Sequence, residues 1–284
     1  MHIPDKSDSP FAGNLVSSNW LDKHLDDPDL VILDCSNSAA PRSNADGYVT
    51  VSGRDIWKQG HIPGSNHADF TDKLSGDKKR FRNTLPSPAQ FVSAMGELGI
   101  GDDSRVVLYD NSNSMWAARV WWMLRWVGFD NAAILDGGFE DWKLWGRSVS
   151  ITLPSTKLQT LTLNCRPELF VTKQVVMNSL DDRSICLIDA LSEAQFKGEQ
   201  SDLGLSGHIP GAINIPATSL LDPDSGRYLS EGHLASLFSN NPSERIILYC
   251  GSGIAASSNA FVMSCLGYNN VSIYMPGLQE WIRK

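Results

Sequence analysis

The 284-residue sequence lacks the features that would place it in a membrane, on a nucleic acid or in a disulfide framework. No apolar run approaches the roughly 20 residues that a bilayer-crossing helix needs. Positive charge is in deficit, with 24 Lys and Arg against 32 Asp and Glu, a formal net charge of −8. The one short basic cluster, Lys78-Lys79-Arg80 with Arg82, reads as a solvated loop, so nucleic acid is not an expected partner. A small anionic ligand would have to be attracted by local donors rather than by the overall field. Cysteine is scarce and unpaired in pattern: five residues, at 35, 165, 186, 250 and 265, form no CxxC and no metal-ligand spacing. An odd count argues against a disulfide framework. The opening residues, Met1 to Asp8, are acidic and polar, with no basic region followed by an apolar core. A cytoplasmic protein is the expectation.

Four of the five cysteines have plain structural readings. Cys35 and Cys186 lie in or beside strand-like runs, Cys265 lies on the apolar side of a helix, and Cys165 falls in a connector. Cys250 differs. It follows Ile246-Ile247-Leu248-Tyr249, which reads as a buried strand, and precedes Gly251-Ser252-Gly253 and a helix that begins near Ile254 and stops at Gly267. A glycine-rich turn between strand and helix lets successive backbone N–H groups face inward as an anion-binding nest. A thiol held there is expected to have a lowered pKa and to act as a nucleophile, because the donors and the helix dipole favour the thiolate.

The chain also repeats itself. Gly60-His61-Ile62-Pro63-Gly64 recurs as Gly207-His208-Ile209-Pro210-Gly211, and Leu108-Tyr109-Asp110 is matched by Leu248-Tyr249-Cys250. Gly138-Phe139-Glu140-Asp141-Trp142 is echoed by Gly277-Leu278-Gln279-Glu280-Trp281. Landmarks in one order at similar spacing indicate duplication. Strands alternating with helices predict an α/β fold, each half a mainly parallel sheet with helices on both faces. The expected division is a first domain over 15–146, a linker over 147–166 and a second domain over 167–284. Where the second half has Cys250 the first has Asp110, and its loop, Asn111-Ser112-Asn113, contains no glycine. The first half is therefore structural or supplies one wall of a cleft. The tryptophans at 116, 121, 122 and 126 recur at helical spacing and read as a domain-packing surface.

On these residues the chain resembles the tandem rhodaneses, and within them the 3-mercaptopyruvate sulfurtransferases. The likeness runs from about Leu15 to Trp281. It rests on the paired Gly-His-Ile-Pro-Gly motifs, Ala118-Arg119-Val120-Trp121-Trp122, Asp136-Gly137-Gly138 with Trp142, and Cys250-Gly251-Ser252-Gly253. The resemblance implies two rhodanese-like domains. It also implies a C-terminal cysteine that accepts sulfane sulfur as a persulfide and passes it to an acceptor thiol or cyanide. The implied partners are a small anionic sulfur donor and a thiol acceptor such as thioredoxin or a small dithiol, with neither metal nor organic cofactor. Mercaptopyruvate enzymes carry Cys-Gly-Ser-Gly-Val-Thr, whereas thiosulfate enzymes carry two basic residues after the cysteine. The uncharged Gly251 and Ser252 thus point to 3-mercaptopyruvate as donor.

Two departures bear on the site. The family's Val-Thr is Ile254-Ala255 here, one hydroxyl fewer. The family's two carboxylate-binding arginines, upstream of the second His-Ile-Pro motif, are also missing. Gln195 replaces the first, and Gly198 to Gly204 contains no arginine, leaving Lys197 as the nearest cation. The candidate site is accordingly Cys250 as nucleophile, Gly251, Ser252, Gly253, Ile254 and Ala255 as the persulfide-holding loop, and Gln195, Lys197 and His61 as substrate contacts. Thiosulfate as donor, or a sulfur carrier with weak catalysis, are the alternatives. A cysteine phosphatase would need arginine six residues beyond the cysteine, and that residue is Ala256.

Overall fold

A computed structural model describes residues 13–41, 48–77, 81–200, 207–238 and 245–283. The terminal stretch Met1 to Asp8, the cluster Lys78-Lys79-Arg80 and the part of the Gly198 to Gly204 segment from Ser201 onward lie outside these residues.

The first half runs β1 (Leu15–Val16), α1 (Ser18–His24), β2 (Leu30–Asp34), β3 (Asn37–Pro41), β4 (Tyr48–Ser52), α2 (Arg54–Gln59), β5 (Asn66–His67), α3 (Pro88–Glu97), β6 (Arg105–Tyr109), α4 (Met115–Trp126), β7 (Ala132–Leu135) and α5 (Gly138–Leu144). The second contributes β8 (Phe170–Val171), α6 (Lys173–Ser179), β9 (Ile185–Asp189), α7 (Glu193–Phe196), β10 (Ile213–Asn214), α8 (Glu231–Leu237), β11 (Arg245–Tyr249), α9 (Ile254–Cys265), β12 (Val271–Tyr274) and α10 (Leu278–Trp281). The strand orders are β1-β7-β6-β2-β5 and β8-β12-β11-β9-β10, and every pairing within them is parallel. Replacing each strand by its repeat partner converts one order into the other. The duplication seen in the motifs is thus a duplication of topology.

Each sheet is centred on the strand that ends at the landmark residue. In β6 and β11 the last four residues are buried, as parallel strands covered on both faces require. Their carboxyl ends, where a doubly wound sheet leaves its crevice, carry Asp110 and Cys250. The Gly-His-Ile-Pro-Gly motif acts on the same strands. The Ile62 N–H donates to the Tyr109 hydroxyl at 3.2 Å, and the Ile209 N–H to the Tyr249 hydroxyl at 2.9 Å. Each histidine ring stacks on the aromatic side chain that precedes the turn, Trp57 or Phe196, while its Nδ1 lies within hydrogen-bond reach of that residue's carbonyl. Tyr249→Phe removes the acceptor of a buried N–H and is expected to cost about 1–2 kcal/mol, read as a lower urea midpoint at unchanged slope.

The halves meet through α4 and α9. Trp121 meets Phe261 edge-on with ring centroids 5.0 Å apart, Trp126 meets Phe170 likewise at 5.7 Å, and the Trp122 indole N–H donates to the Leu169 carbonyl. One apolar cluster therefore continues from the first sheet through both helices to the second. Between α5 and the second domain, residues 145–166 run along the flank of the first half, tied by Ser150 to His61, Gln159 to Gly96 and Asn164 to Val127. Leu161 is buried there, whereas Leu158 and Leu163 face solvent.

Several elements go beyond the sequence expectation, and the one that bears on the site is the antiparallel hairpin of β3 and β4. The alternation Tyr48-Val49-Thr50-Val51-Ser52 was its available signal.

Candidate active site

Cys250 caps β11, and α9 starts four residues later. Gly253 makes the junction possible: it is the α9 N-cap with φ +84°, in the left-handed region that suits glycine. This turn brings the Gly253 N–H to 3.0 Å from the Cys250 Sγ. The backbone N–H groups of Ala256 and Ser252 also favour the thiolate electrostatically. The turn therefore aims main-chain N–H groups at the sulfur, Gly253 within hydrogen-bond distance and Ala256, one residue past the predicted loop, through its electrostatic effect.

The predicted direction of the thiol pKa is corrected. Cys250 is only 2% exposed, and this loss of solvent raises its pKa above the ordinary thiol value. The Ala256, Ser252 and Gly253 amides pull the other way, and the Asp189 carboxylate adds to the rise. Desolvation of the anion outweighs the donors.

The first half shows what the same turn does without sulfur. Asp110 occupies its nest with its own carboxylate. Oδ1 accepts from Ser112 and Ser114 N–H at 2.8 and 3.0 Å, and Oδ2 accepts from Trp116 and Ala117 N–H at 2.9 Å each. That loop is one residue longer, and Asn113 and Ser114 take positive φ where the second half uses glycine. Burial pushes the Asp110 carboxyl up to about 6 against the Ala117, Ser112 and Ser114 amides. The anion site of the first half is filled from within.

Both turns are buttressed by a helix start. The Phe139 N–H donates to the Asp110 carbonyl at 3.1 Å, and the Leu278 N–H donates to the Cys250 carbonyl at 2.8 Å. The glycines before them permit this approach. A Cβ on Gly138 would sit 2.3 Å from the Asp110 oxygen, and one on Gly277 would sit 2.4 Å from the Cys250 oxygen. The Gly-x-x-x-Trp echo thus marks a brace beneath each nest.

Cys250 opens onto a cleft of about 210 Å³ between the halves. Its own domain supplies Leu191, Gly251, Ser252, Ile254 and Ala255. The first half supplies Ala39, Val49 and Thr50 from the hairpin, and Met115 and Trp116 from α4. Arg82 and Asn83 complete that wall. The Asn83 Nδ2 donates to the Ser252 Oγ at 3.2 Å, and its Oδ1 accepts from the Thr50 hydroxyl at 2.7 Å. Gln279 clamps the Arg82 backbone, accepting from its N–H at 3.0 Å and donating to its carbonyl at 2.9 Å. Arg82 Nη1 donates to the Tyr48 carbonyl at 2.8 Å. The solvated-loop reading of Arg82 is therefore corrected: it is half-buried on the cleft wall.

The three predicted substrate contacts are not brought to this cleft. Gln195 is buried in a capping box with Ser192. Lys197 is exposed and pairs with Glu193 one helical turn back at 2.6 Å. His61 is fully buried, with Nδ1 near the Trp57 carbonyl and Nε2 near that of Thr152. Gln195 and Lys197 are committed to their own helix, and His61 is held between its own turn and the connector at Thr152. Among the described residues, no helix is long and apolar enough to cross a membrane.

Comparison with known proteins agrees with this architecture. The rhodanese-like domain model matches twice, over residues 17–144 and 172–284. A probable 3-mercaptopyruvate sulfurtransferase of Pseudomonas aeruginosa is 32% identical over 282 residues, covering 95% of each chain. The thiosulfate sulfurtransferase of Rattus norvegicus is 30% identical over 285 residues, covering 95% of this chain and 92% of the other. The crystal structure of SseA, a 3-mercaptopyruvate sulfotransferase from Escherichia coli, superposes with a TM-score of 0.78 at 29% identity, covering 92% of this chain and 97% of that one. The chain belongs to the rhodanese family, as a tandem of two such domains.

Proposed function

We propose that this rhodanese-family sulfurtransferase takes the thiol sulfur of 3-mercaptopyruvate onto Cys250, where it becomes sulfane sulfur, and delivers it to a thiol or to cyanide. The observation that carries the reading is the Cys250 sulfur in a nest of main-chain donors, at the floor of a largely apolar cleft whose loop brings no charge. The Cys250 thiolate attacks the donor's thiol sulfur. The new S–S bond forms as the C–S bond breaks, and the bonding pair leaves as the enolate of pyruvate. The persulfide S–H supplies the proton that turns the enolate into pyruvate, leaving an anionic persulfide held by the Ser252, Gly253 and Ala256 amides. Cyanide then takes the outer sulfur as thiocyanate and returns the thiolate. A small dithiol or thioredoxin does the same, leaving as its disulfide with hydrogen sulfide.

Ser252 accepts from Asn83, so its hydroxyl hydrogen is directed to the donor's carbonyl oxygen, which becomes the enolate oxygen. Arg82 supplies the positive charge for the donor carboxylate, in place of the two arginines that the family carries elsewhere. Arg82→Ala is expected to raise the KM for mercaptopyruvate about tenfold or more with kcat little changed, since a charged hydrogen bond contributes roughly 1.5–3 kcal/mol. Initial rates check this, and an unchanged KM removes Arg82 from substrate binding.

The reading as a whole is tested by mass analysis after incubation with mercaptopyruvate or thiosulfate. Gain of one sulfur atom on the Cys250 peptide is expected with mercaptopyruvate. Failure to gain it from either donor overturns the reading, and gain from thiosulfate alone reassigns the donor.

A further inference from the structure

The first half lends the nest more than a wall. Arg119, on α4, is 0% exposed. Its Nη2 donates to the Asn83 carbonyl at 3.2 Å, and its guanidinium lies over the Phe170 ring, 5.1 Å from the centroid. Its Nε and Nη1 have no hydrogen-bond partner, and among the described residues no carboxylate pairs with it. An isolated buried cation is costly, so a fold that keeps one places an anion beside it. The neighbouring group is the catalytic turn. A Cβ on Gly253 would come 3.3 Å from Nη1, and Gly253 is the residue whose N–H holds the Cys250 sulfur. Burial lowers the Arg119 pKa to about 10, and the sulfur of Cys250 opposes that shift.

We infer that Arg119 is the buried counter-charge of the Cys250 sulfur, first as thiolate and then as persulfide, supplied across the interface by the half that has no nucleophile. This deepens the role given above to Cys250 and makes Arg119 a positioning residue that meets no substrate. Among the described residues, the titratable and charged groups around Cys250 are Asp189 at the end of β9, Tyr249 on β11, Arg119 on α4 and Arg82 on the wall of the same cleft. Of these, only Arg119 is a fully buried cation.

The test is the pH profile of Cys250 alkylation by iodoacetamide in the full chain, followed by the mass of the Cys250 peptide. Alkylation rises with pH as the thiolate forms. In Arg119→Gln the midpoint is expected about one pH unit or more higher than in the unmodified protein, roughly tenfold slower at any pH below both midpoints. Arg119→Lys is expected to restore most of the shift. A folded Arg119→Gln with an unmoved midpoint overturns the inference.

A second measurement leaves Arg119 in place. Cys250→Asp is expected to melt higher than Cys250→Asn at pH 8, by more than the unmodified chain melts above Asp110→Asn, where the neighbouring charge is Asp34. An equal or smaller advantage at 250 also overturns the inference. Neither measurement uses a sulfur donor. Loss of the Arg119 effect with persulfide formation intact therefore discards only this inference, whereas absence of persulfide with the effect intact discards only the proposed reaction.

Discussion

Cys250→Ser is expected to lower sulfur transfer by at least about a thousandfold with every donor, since no other group in the cleft can carry a sulfur atom. The hydroxyl fits the space of the sulfur and can accept from the Gly253 N–H, so the fold is expected to persist. An alkoxide at that position would be far more basic than a thiolate, and the burial that already raises the thiol pKa would raise the alcohol further. The other four cysteines offer no rescue. Cys35 is fully buried with its pKa pushed well up by desolvation, Cys265 is pushed up to about 12, and Cys165 and Cys186 do not line the cleft. Steady-state rates together with peptide mass after donor treatment check this. Retention of even a tenth of the activity, or sulfur found on another cysteine, would displace Cys250 from the mechanism.

Gly277→Ala carries the next largest effect, though residue 277 touches neither cleft nor substrate. Its φ of +77° with ψ −149° lies in a region essentially restricted to glycine and costs an alanine about 1–3 kcal/mol. The added Cβ would also lie 2.4 Å from the Cys250 carbonyl oxygen and 3.3 Å from that of Gly251. Both obstacles are backbone, so no rotamer change relieves them. The start of α10 must lift away. That breaks the Leu278 to Cys250 and Gln279 to Gly251 bonds and loosens the Gln279 clamp on Arg82. A loss of about 3 kcal/mol in stability is expected, together with at least a tenfold fall in kcat/KM. Gly267→Ala is the control: φ is +87° there, but nothing lies within 4 Å, so only the conformational cost of about 1 kcal/mol applies. Urea unfolding and steady-state kinetics on the two variants separate strain from displacement of the nest. Equal effects would show that the brace does not matter.

The parts of this site that could be read from sequence are those encoded by neighbours in the chain. Cys250, Gly253 and the start of α9 lie within a few residues, and the strand–turn–helix pattern of Ile246 to Ile254 dictates their arrangement. The repeat was visible because its landmarks are strings. What those strings do was not, because each acts through a distant residue: the Ile209 amide on Tyr249, forty positions away, and Gly277 beneath Cys250. Gln195 and Lys197 were singled out by alignment to a family motif, yet short-range bonds to Ser192 and Glu193 explain both. Arg82 and Arg119 were given no part in the site for opposite reasons. One sits in a polar loop that looks solvated, and the other interrupts an apolar helix without any sign of what it would face. The thiol pKa was misjudged because hydrogen-bond donors can be counted in a sequence and lost water cannot.

The apolar seam between α4 and α9 has a consequence for how an acceptor reaches the sulfur. Parting the halves would expose Trp121, Trp122 and Phe261, aromatic side chains whose burial contributes a few kcal/mol each. A hinged opening about residues 145–166 would therefore cost several kcal/mol at every turnover, which favours a cleft mouth of nearly constant width. Of the proposed acceptors, cyanide or a small dithiol would pass such an aperture unaided. On the proposed reaction, a protein acceptor would have to present its cysteine on a projecting tip narrow enough to reach the floor, and the rigidity of the seam would select acceptors by shape before any chemistry occurs.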